Sequence, residues 1–121
     1  MIKVSIMYPN APEARFDHEY YRTRHLPLIQ KRMGSALRYY TIDKGLTGGA
    51  PDAPVPYIAM CHLICDSIES YQSGFGPHAQ EIRADIPKFT DRTPVRQISE
   101  VVVENSAASV TAARSPLAVD A

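Results

Sequence analysis

A nine-residue segment, Tyr57 to Cys65, restricts the possible folds of this chain more than any other feature. Its residues alternate as they would in a β-strand, yet both faces are largely apolar. That pattern is typical of a strand that is buried on both sides. The residues on the two faces are Tyr57, Ala59, Cys61 and Leu63 on one, and Ile58, Met60, His62 and Ile64 on the other.

The N-terminal part predicts a strand followed by a helix. Residues 2 to 8 alternate apolar and polar side chains, which indicates the first strand. Asp17 is a suitable N-cap for a helix that extends to about Met33, where Gly34 supplies the stop signal. Pro27 lies inside this helix and lacks an N–H donor, so we expect it to bend the helix.

The remainder of the chain predicts further strands and helices. The predicted segments are a second strand over 36–44, a loop over 45–56, the third strand over 57–65, helical pieces from 66 to Pro87 and a last strand over 93–104. Asp66 and Glu69 resemble a capping box that opens the second helix, with Ile68, Tyr71 and Phe75 on its inner face. We expect the tail from Asn105 onward to be mobile.

The resulting order, β-α-β-β-α-β, predicts an α+β ferredoxin-like domain over residues 1–104. In this fold both helices pack on one face of a four-stranded antiparallel sheet, which leaves the other face open. The apolar residues Ile58, Met60 and Ile64 on that face need cover. We therefore expect a homodimer in which the sheet face of a second copy supplies it.

Composition excludes several classes of partner. With 121 residues and 45% apolar composition, the chain suits one domain with one core. Lysine plus arginine equal aspartate plus glutamate at 13 each, so we expect neither nucleic acid nor a membrane as partner. Cys61 and Cys65 would lie about 13 Å apart on one strand, too far for a disulfide. Reduced thiols favour a cytoplasmic location.

Several motifs stand out along the chain: the N-terminal strand Ile2 to Tyr8, Asp17-His18-Glu19-Tyr20-Tyr21, His25-Leu26-Pro27-Leu28, Phe75-Gly76-Pro77-His78, the run Asp85-Ile86-Pro87-Lys88-Phe89-Thr90-Asp91, and Pro94-Val95-Arg96-Gln97-Ile98-Ser99-Glu100-Val101. Together they resemble the EthD-like family over roughly residues 1 to 104. The resemblance implies a dimeric α+β barrel with a pocket between the sheet and the helices of each subunit. It also carries the label oxidoreductase and a link to catabolism of ethyl tert-butyl ether. Other members of the wider superfamily are cofactor-free monooxygenases, lactone isomerases, polyketide cyclases and haem-handling enzymes, so the fold alone does not choose a reaction.

His25 is the first candidate for catalysis. It shares a helical face with Tyr21, and this face points toward the sheet. An imidazole can take up and return a proton near neutral pH, and a phenol can stabilise a developing oxyanion. The alternative is that His25 only satisfies a hydrogen bond in the core.

Three further residues are candidates for the site. Tyr39 could hydrogen-bond a substrate carbonyl if it, and not Tyr40, faces the pocket. His78 follows Gly76-Pro77 at a predicted helix start, where the helix dipole would keep it neutral. Asp91 could orient a histidine. The alternatives are packing for Tyr39, an exposed helix start for His78 and a turn role for Asp91.

The sequence predicts no cofactor. Gly45-Leu46-Thr47-Gly48-Gly49 is neither a dinucleotide fingerprint nor a P-loop, and the histidines show no metal-ligand spacing. We therefore expect a cofactor-independent enzyme, of the oxidoreductase or monooxygenase type or of the isomerase or cyclase type, that acts on a hydrophobic, aromatic, quinone-like or lactone-like metabolite. The alternative is a non-catalytic protein that binds or delivers a small hydrophobic molecule in a degradative pathway.

Overall fold

The computed structural model describes residues 1–105. Four strands form one antiparallel sheet in the order β2-β3-β1-β4. They are β1 (Ile2–Pro9), β2 (Tyr39–Lys44), β3 (Tyr57–Cys65) and β4 (Val95–Glu100). The sequence predicted a mobile tail from Asn105 onward. Of that segment only Asn105 is among the described residues. The α+β ferredoxin-like fold is confirmed.

Two helical regions lie on one face of the sheet. The first consists of α1 (His18–Tyr20), a π-helical turn (Tyr21–His25) and α2 (Leu26–Met33), and the second contains α3 (Ile68–Phe75) and α4 (Ala79–Asp85). Short 3₁₀ turns follow α2, α3 and α4 at Gly34–Ala36, Gly76–His78 and Ile86–Lys88. None of the helices in residues 1–105 has the length and apolar composition that a membrane-spanning helix requires.

One hydrophobic core lies between the sheet and the helices. The alternation of β1 puts Ile2, Val4, Ile6 and Tyr8 into it, and β3 contributes Ala59, Cys61, Leu63 and Cys65. The helices contribute Tyr21, Leu26, Ile29, Tyr71, Phe75 and Ile82. Burial of these side chains is the main driving force for assembling the two layers.

The helix ends are set by local hydrogen bonds. The Asp17 carboxylate accepts a hydrogen bond from the Tyr20 backbone N–H at 3.0 Å, which confirms Asp17 as the first N-cap. Gly34 ends α2 with φ of 56°, in the region that glycine tolerates best.

The second helix begins differently from the prediction. Its N-cap is Ser67, whose side chain accepts from the Ser70 N–H, and not Asp66. Asp66 instead pairs with Arg38 on the surface. Ile68 was expected on the inner face but is 43% exposed.

Two strands are shorter than predicted. β2 begins at Tyr39, since residues 34–36 form a 3₁₀ turn. β4 ends at Glu100, and Val102 and Val103 beyond it are largely exposed.

The open face of the sheet is partly covered by the chain itself. The Tyr39 hydroxyl, at the start of β2, hydrogen-bonds the Glu104 carboxylate. Since β4 and β2 are opposite edges, residues 101–104 must cross the sheet to reach Tyr39. Ile64, the neighbour of Tyr39 in the sheet, is only 1% exposed in a single chain. Ile58 and Met60, farther along β3, stay half-buried.

Candidate active site

A widened helical turn positions the candidate histidine. The Leu26 backbone N–H donates to the Tyr21 carbonyl five residues earlier, which defines the π-helical turn Tyr21–His25. Pro27 follows directly, and its missing N–H leaves the Thr23 carbonyl without the hydrogen bond of a regular α-helix. Such π turns often occur at functional sites. The bend expected at Pro27 stays a prediction, and the irregularity beside it is this turn.

His25 forms a buried pair with Asp85. The imidazole Nδ1 lies 2.9 Å from Asp85 Oδ2, and the two residues are 2% and 8% exposed. Asp85 is the last residue of α4, so the pair connects the two helical regions. The second oxygen, Asp85 Oδ1, accepts a hydrogen bond from the Tyr20 hydroxyl at 2.8 Å and lies 3.5 Å from Lys88 Nζ.

Burial and hydrogen bonding set the charge of this pair. Burial lowers the pKa of His25, and the nearby carboxylate of Asp85 offsets only part of that shift. Burial also acts to raise the pKa of Asp85, but hydrogen bonds from His25 and Tyr20 outweigh it and leave that pKa lowered. At neutral pH the pair is therefore a neutral imidazole beside a carboxylate.

The charge state fixes the tautomer of His25. An ionised carboxylate only accepts hydrogen bonds, so the proton between the two groups is on Nδ1. The Nε2 atom then carries a lone pair and can act as a base. This is the arrangement in which a carboxylate orients a histidine for proton transfer.

Aromatic rings surround the imidazole. Tyr21 stacks on His25 with ring centroids 5.7 Å apart and an interplanar angle of 16°. Phe89 lies 4.5 Å from the His25 ring centroid. These apolar neighbours exclude water and account for the lowered pKa of His25.

The Tyr21 hydroxyl is an unpaired polar group in the interior. It is buried and has no hydrogen-bond partner within residues 1–105. Burial raises the pKa of Tyr21, and it raises the pKa of the neighbouring Cys61 thiol to about 12, so both groups stay protonated. The hydroxyl lies near the Cys61 sulfur without the geometry of a hydrogen bond. A buried donor without a partner is costly, and a bound molecule would satisfy it.

A surface groove borders the Asp85 side of the pair formed by His25 and Asp85. Its volume is about 530 Å³, and it is lined by Tyr20, Arg24, Leu28, Glu81, Ala84, Asp85 and Lys88. His25 does not line it, so the groove contacts the carboxylate and not the imidazole. The groove therefore borders the Asp85 side of the pair and leaves the imidazole of His25 buried.

The family model of the EthD domain matches residues 11–93, which is more than half of the chain. The chain belongs to the EthD family. An EthD-like protein from Ralstonia eutropha JMP134 is 53% identical, with a TM-score of 0.83, and the match covers 87% of this chain and 95% of that one. The family membership predicted from the sequence motifs is thus confirmed.

More distant structures share the fold alone. An ethyl tert-butyl ether D (EthD) family protein from Bacillus halodurans C-125 is 22% identical over 83% of this chain and 97% of that one, with a TM-score of 0.63. Rv0793 from Mycobacterium tuberculosis is 17% identical over 87% and 97% of the two chains, with a TM-score of 0.54. A comparison with curated proteins gives no match.

The five residues proposed from the sequence of this EthD-family protein do not form one site. His25 and Tyr21 lie together, as described. Tyr39 faces the open side of the sheet, whereas Tyr40 packs against the core. His78 is half-buried at the start of α4. Asp91 accepts hydrogen bonds from the Arg15 backbone N–H and the Arg92 side chain. It forms no hydrogen bond with His25 or His78.

Two residues of the site, Asp85 and Tyr20, were missed. Regular helical spacing places Tyr21 on the face of His25 and turns Tyr20 away from it. The π-helical turn changes that spacing and brings the Tyr20 hydroxyl and His25 to the same carboxylate. The sequence did contain a signal for Asp85, because this residue is the first one of the motif Asp85-Ile86-Pro87-Lys88-Phe89-Thr90-Asp91. Within residues 1–105, no group of three His, Cys, Asp or Glu side chains is arranged to hold a metal ion.

Proposed function

We propose that this EthD-family protein is a cofactor-independent enzyme that transfers protons on a small hydrophobic molecule. The observation that carries the proposal is the buried pair of His25 and Asp85. In this role His25 is the general base and then the general acid, and Asp85 holds its tautomer. Reactions of this class include enolisation, isomerisation and ring closure.

The lowered pKa of His25 supports the role of base. A base must be unprotonated at working pH, and a histidine with a lowered pKa meets that condition throughout the neutral range. Once Nε2 has accepted a proton, the imidazolium gains a direct ionic interaction with Asp85. The carboxylate therefore stabilises the charge that develops during proton transfer.

Tyr21 supports the second half of the reaction. Removing a proton next to a carbonyl places negative charge on the carbonyl oxygen, and a buried hydroxyl is a strong donor to it. The Tyr21 hydroxyl has no competing partner among the described residues. We assign it the stabilisation of this oxyanion. The aromatic neighbours of His25 favour an aromatic or lactone-like substrate.

The proposal includes a homodimer through the open sheet faces. Met60 on β3 pairs in the sheet with Met7 on β1, and Met7 pairs with Val95 on β4. Together with Ile58, these residues form an apolar patch away from the crossing segment 101–104. Val95 is 46% exposed in the single chain. A second copy of this patch would cover it.

Deuterium exchange tests the proposed reaction. We would incubate the purified protein in D₂O with 2-tetralone and with 2-coumaranone, an aryl ketone and an aryl lactone that have acidic C–H groups beside the carbonyl. Loss of the proton NMR signal of those groups reports proton abstraction. We expect exchange that exceeds the buffer rate and is reduced at least about a hundredfold by His25→Gln.

Asp91→Asn is the matched control for Asp85→Asn, since both remove a carboxylate near the helices. We expect only the Asp85 variant to lose exchange. If the wild-type protein and His25→Gln gave the same rate for both compounds, the role of His25 as a base would be abandoned. Binding of either compound without exchange would favour the hypothesis of a non-catalytic binding protein.

A further inference from the structure

A second groove, the α1–β2 groove, lies on the helical side of the sheet. Its volume is about 500 Å³, and it is lined by His18, Glu19, Arg22, Tyr40, Ile42 and Lys44. None of these residues lines the groove beside Asp85. The two grooves are therefore separate.

The alternation of β2 explains why three of its side chains reach this groove. Tyr40, Ile42 and Lys44 all pair in the sheet with core residues of β3, so all three face the helices. Tyr40 and Ile42 are half-buried and pack against the core. Lys44 is exposed at the end of the strand. The groove therefore has an apolar floor with an ammonium group at one end.

The α1–β2 groove has a net positive charge at neutral pH. Arg22 and Glu19 form an ion pair at 2.8 Å, so their charges cancel. Burial lowers the pKa of His18, and the positive charge of Lys44 lowers it further, which keeps this imidazole neutral. Asp43, the carboxylate next to Lys44 in the chain, faces the open side of the sheet. The charge of Lys44 is therefore not compensated by the residues that line the groove.

Phe16 connects the α1–β2 groove with the proposed site. The centroid of its ring lies 4.7 Å from that of His18 and 5.1 Å from that of Tyr21. In the sheet, Ile42 on the groove floor pairs with Cys61, which lies near the Tyr21 hydroxyl. A molecule held in the groove would thus be separated from Tyr21 by a single layer of side chains.

An apolar floor beside a cation suits a flat apolar ring with an anionic substituent. The ring can pack on Tyr40 and Ile42 while a carboxylate pairs with the Lys44 ammonium.

We propose that the α1–β2 groove binds a small aromatic carboxylate and that Lys44 is its anion-binding residue. The idea that such a molecule is the substrate rests on the proposed function of His25. The binding itself does not, and it can be measured without turnover.

An NMR titration with a matched pair of probes tests this site. We would add 4-methylbenzoate or 4-methylbenzamide to ¹⁵N-labelled protein at pH 7.5 and follow the backbone amide signals. The probes have nearly the same size and shape, but only the first is charged. We expect saturable shifts concentrated in residues 18–22 and 40–44. The dissociation constant should be about fivefold lower for the benzoate, which is the upper end for an exposed ion pair.

Three variants separate the charge of Lys44 from the shape of the groove. Lys44→Gln should remove the preference for the benzoate and leave the affinity for the benzamide unchanged. Lys31→Gln is the matched control and should keep the preference, because Lys31 is an exposed lysine of α2 outside the groove. Ile42→Ala should weaken binding of both probes to a similar extent, since it removes part of the apolar floor. The amide spectrum of each variant also shows whether it is folded.

Four results would overturn the site: no saturable shifts with 4-methylbenzoate, shifts concentrated outside residues 18–22 and 40–44, equal affinity for the two probes, or an unchanged preference in Lys44→Gln. The proposed function fails on a different measurement, the deuterium exchange of His25→Gln. A protein that shows the preference set by Lys44 but no exchange would keep the binding site and lose the proposed reaction.

Discussion

The Nδ1 atom of His25 lies 2.9 Å from Oδ2 of Asp85, a residue 60 positions later in the chain. The two side chains meet because the π-helical turn at Tyr21–His25 and the end of α4 face each other across the helical layer. Burial keeps the imidazole neutral, and the carboxylate fixes which nitrogen carries the proton. The proposed chemistry of the protein depends on this contact.

The first prediction concerns stability and pH. The pKa of His25 is lowered in the folded protein, so the unfolded chain takes up a proton first as the pH falls below about 6.5. Folding stability should therefore be greatest above pH 6.5 and should decrease from there toward the folded pKa. The largest possible slope from one histidine is about 1.4 kcal/mol per pH unit.

Urea unfolding of the wild-type protein and His25→Gln between pH 7.5 and 5 measures this contribution. We expect the free energy of unfolding of the variant to vary less with pH, since glutamine does not titrate. His18 also has a lowered pKa and contributes equally to both proteins. Parallel pH profiles for the two proteins would show that His25 titrates alike in the folded and unfolded states.

The second prediction compares two adjacent tyrosines. Tyr21→Phe removes a buried hydroxyl that has no partner in residues 1–105, so stability should stay the same or rise. Tyr20→Phe removes the hydrogen bond to Asp85 and should cost roughly 1 kcal/mol. Thermal unfolding of the two variants checks the contrast. A larger loss for Tyr21→Phe than for Tyr20→Phe would mean that Tyr21 has a partner in the folded protein.

The third prediction concerns the packing of α3 against the turn after α2. A Cβ atom at Gly74 would lie 2.5 Å from the Cβ of Ala36, so Gly74→Ala should cost roughly 1 to 3 kcal/mol. Gly49 does not have a positive φ, and an added Cβ there would meet no atom within 4 Å, so Gly49→Ala should be neutral or stabilising. Denaturant titration gives both values. Equal stability of the two variants would refute the close contact at Gly74.

The fourth prediction tests the dimer. Met60→Lys places a charge in the apolar patch of the open sheet face and should shift a dimer toward monomer. Gln72→Lys adds the same charge on the exposed side of α3 and should have no effect. Sedimentation velocity at micromolar concentration distinguishes the two. A wild-type protein that sediments as a monomer would contradict the proposed interface.

Strand patterns in the sequence were sufficient to predict the fold. The segment 57–65 is the third strand at the predicted residues, and the alternation in residues 2–8 matches the buried side of β1. The last strand was predicted to extend to residue 104, because the valines at 101–103 have high strand propensity. In the structure the pairing of β4 with β1 ends at Glu100, so these valines lie beyond the strand. Propensity describes a residue, whereas pairing depends on the neighbouring strand.

The site was only partly predictable. His25 and Tyr21 share a helical face in any regular helix, so their proximity follows from the sequence. Their contact with Asp85 depends on the packing of α4 against the π-helical turn, which local spacing does not encode. The cover over Ile64 was also missed, because it depends on where residues 101–104 cross the sheet.

The tautomer of His25 tests the account most directly. Two-dimensional NMR of ¹⁵N-histidine-labelled protein, assigned with His25→Gln, reports the protonation of each ring nitrogen. At pH 7 we predict a protonated Nδ1, an unprotonated Nε2 and a titration midpoint below 6.5. Asp85→Asn should lower this midpoint further, since the carboxylate favours the charged imidazole. An imidazole protonated on both nitrogens at pH 7, or on Nε2 alone, would contradict the account.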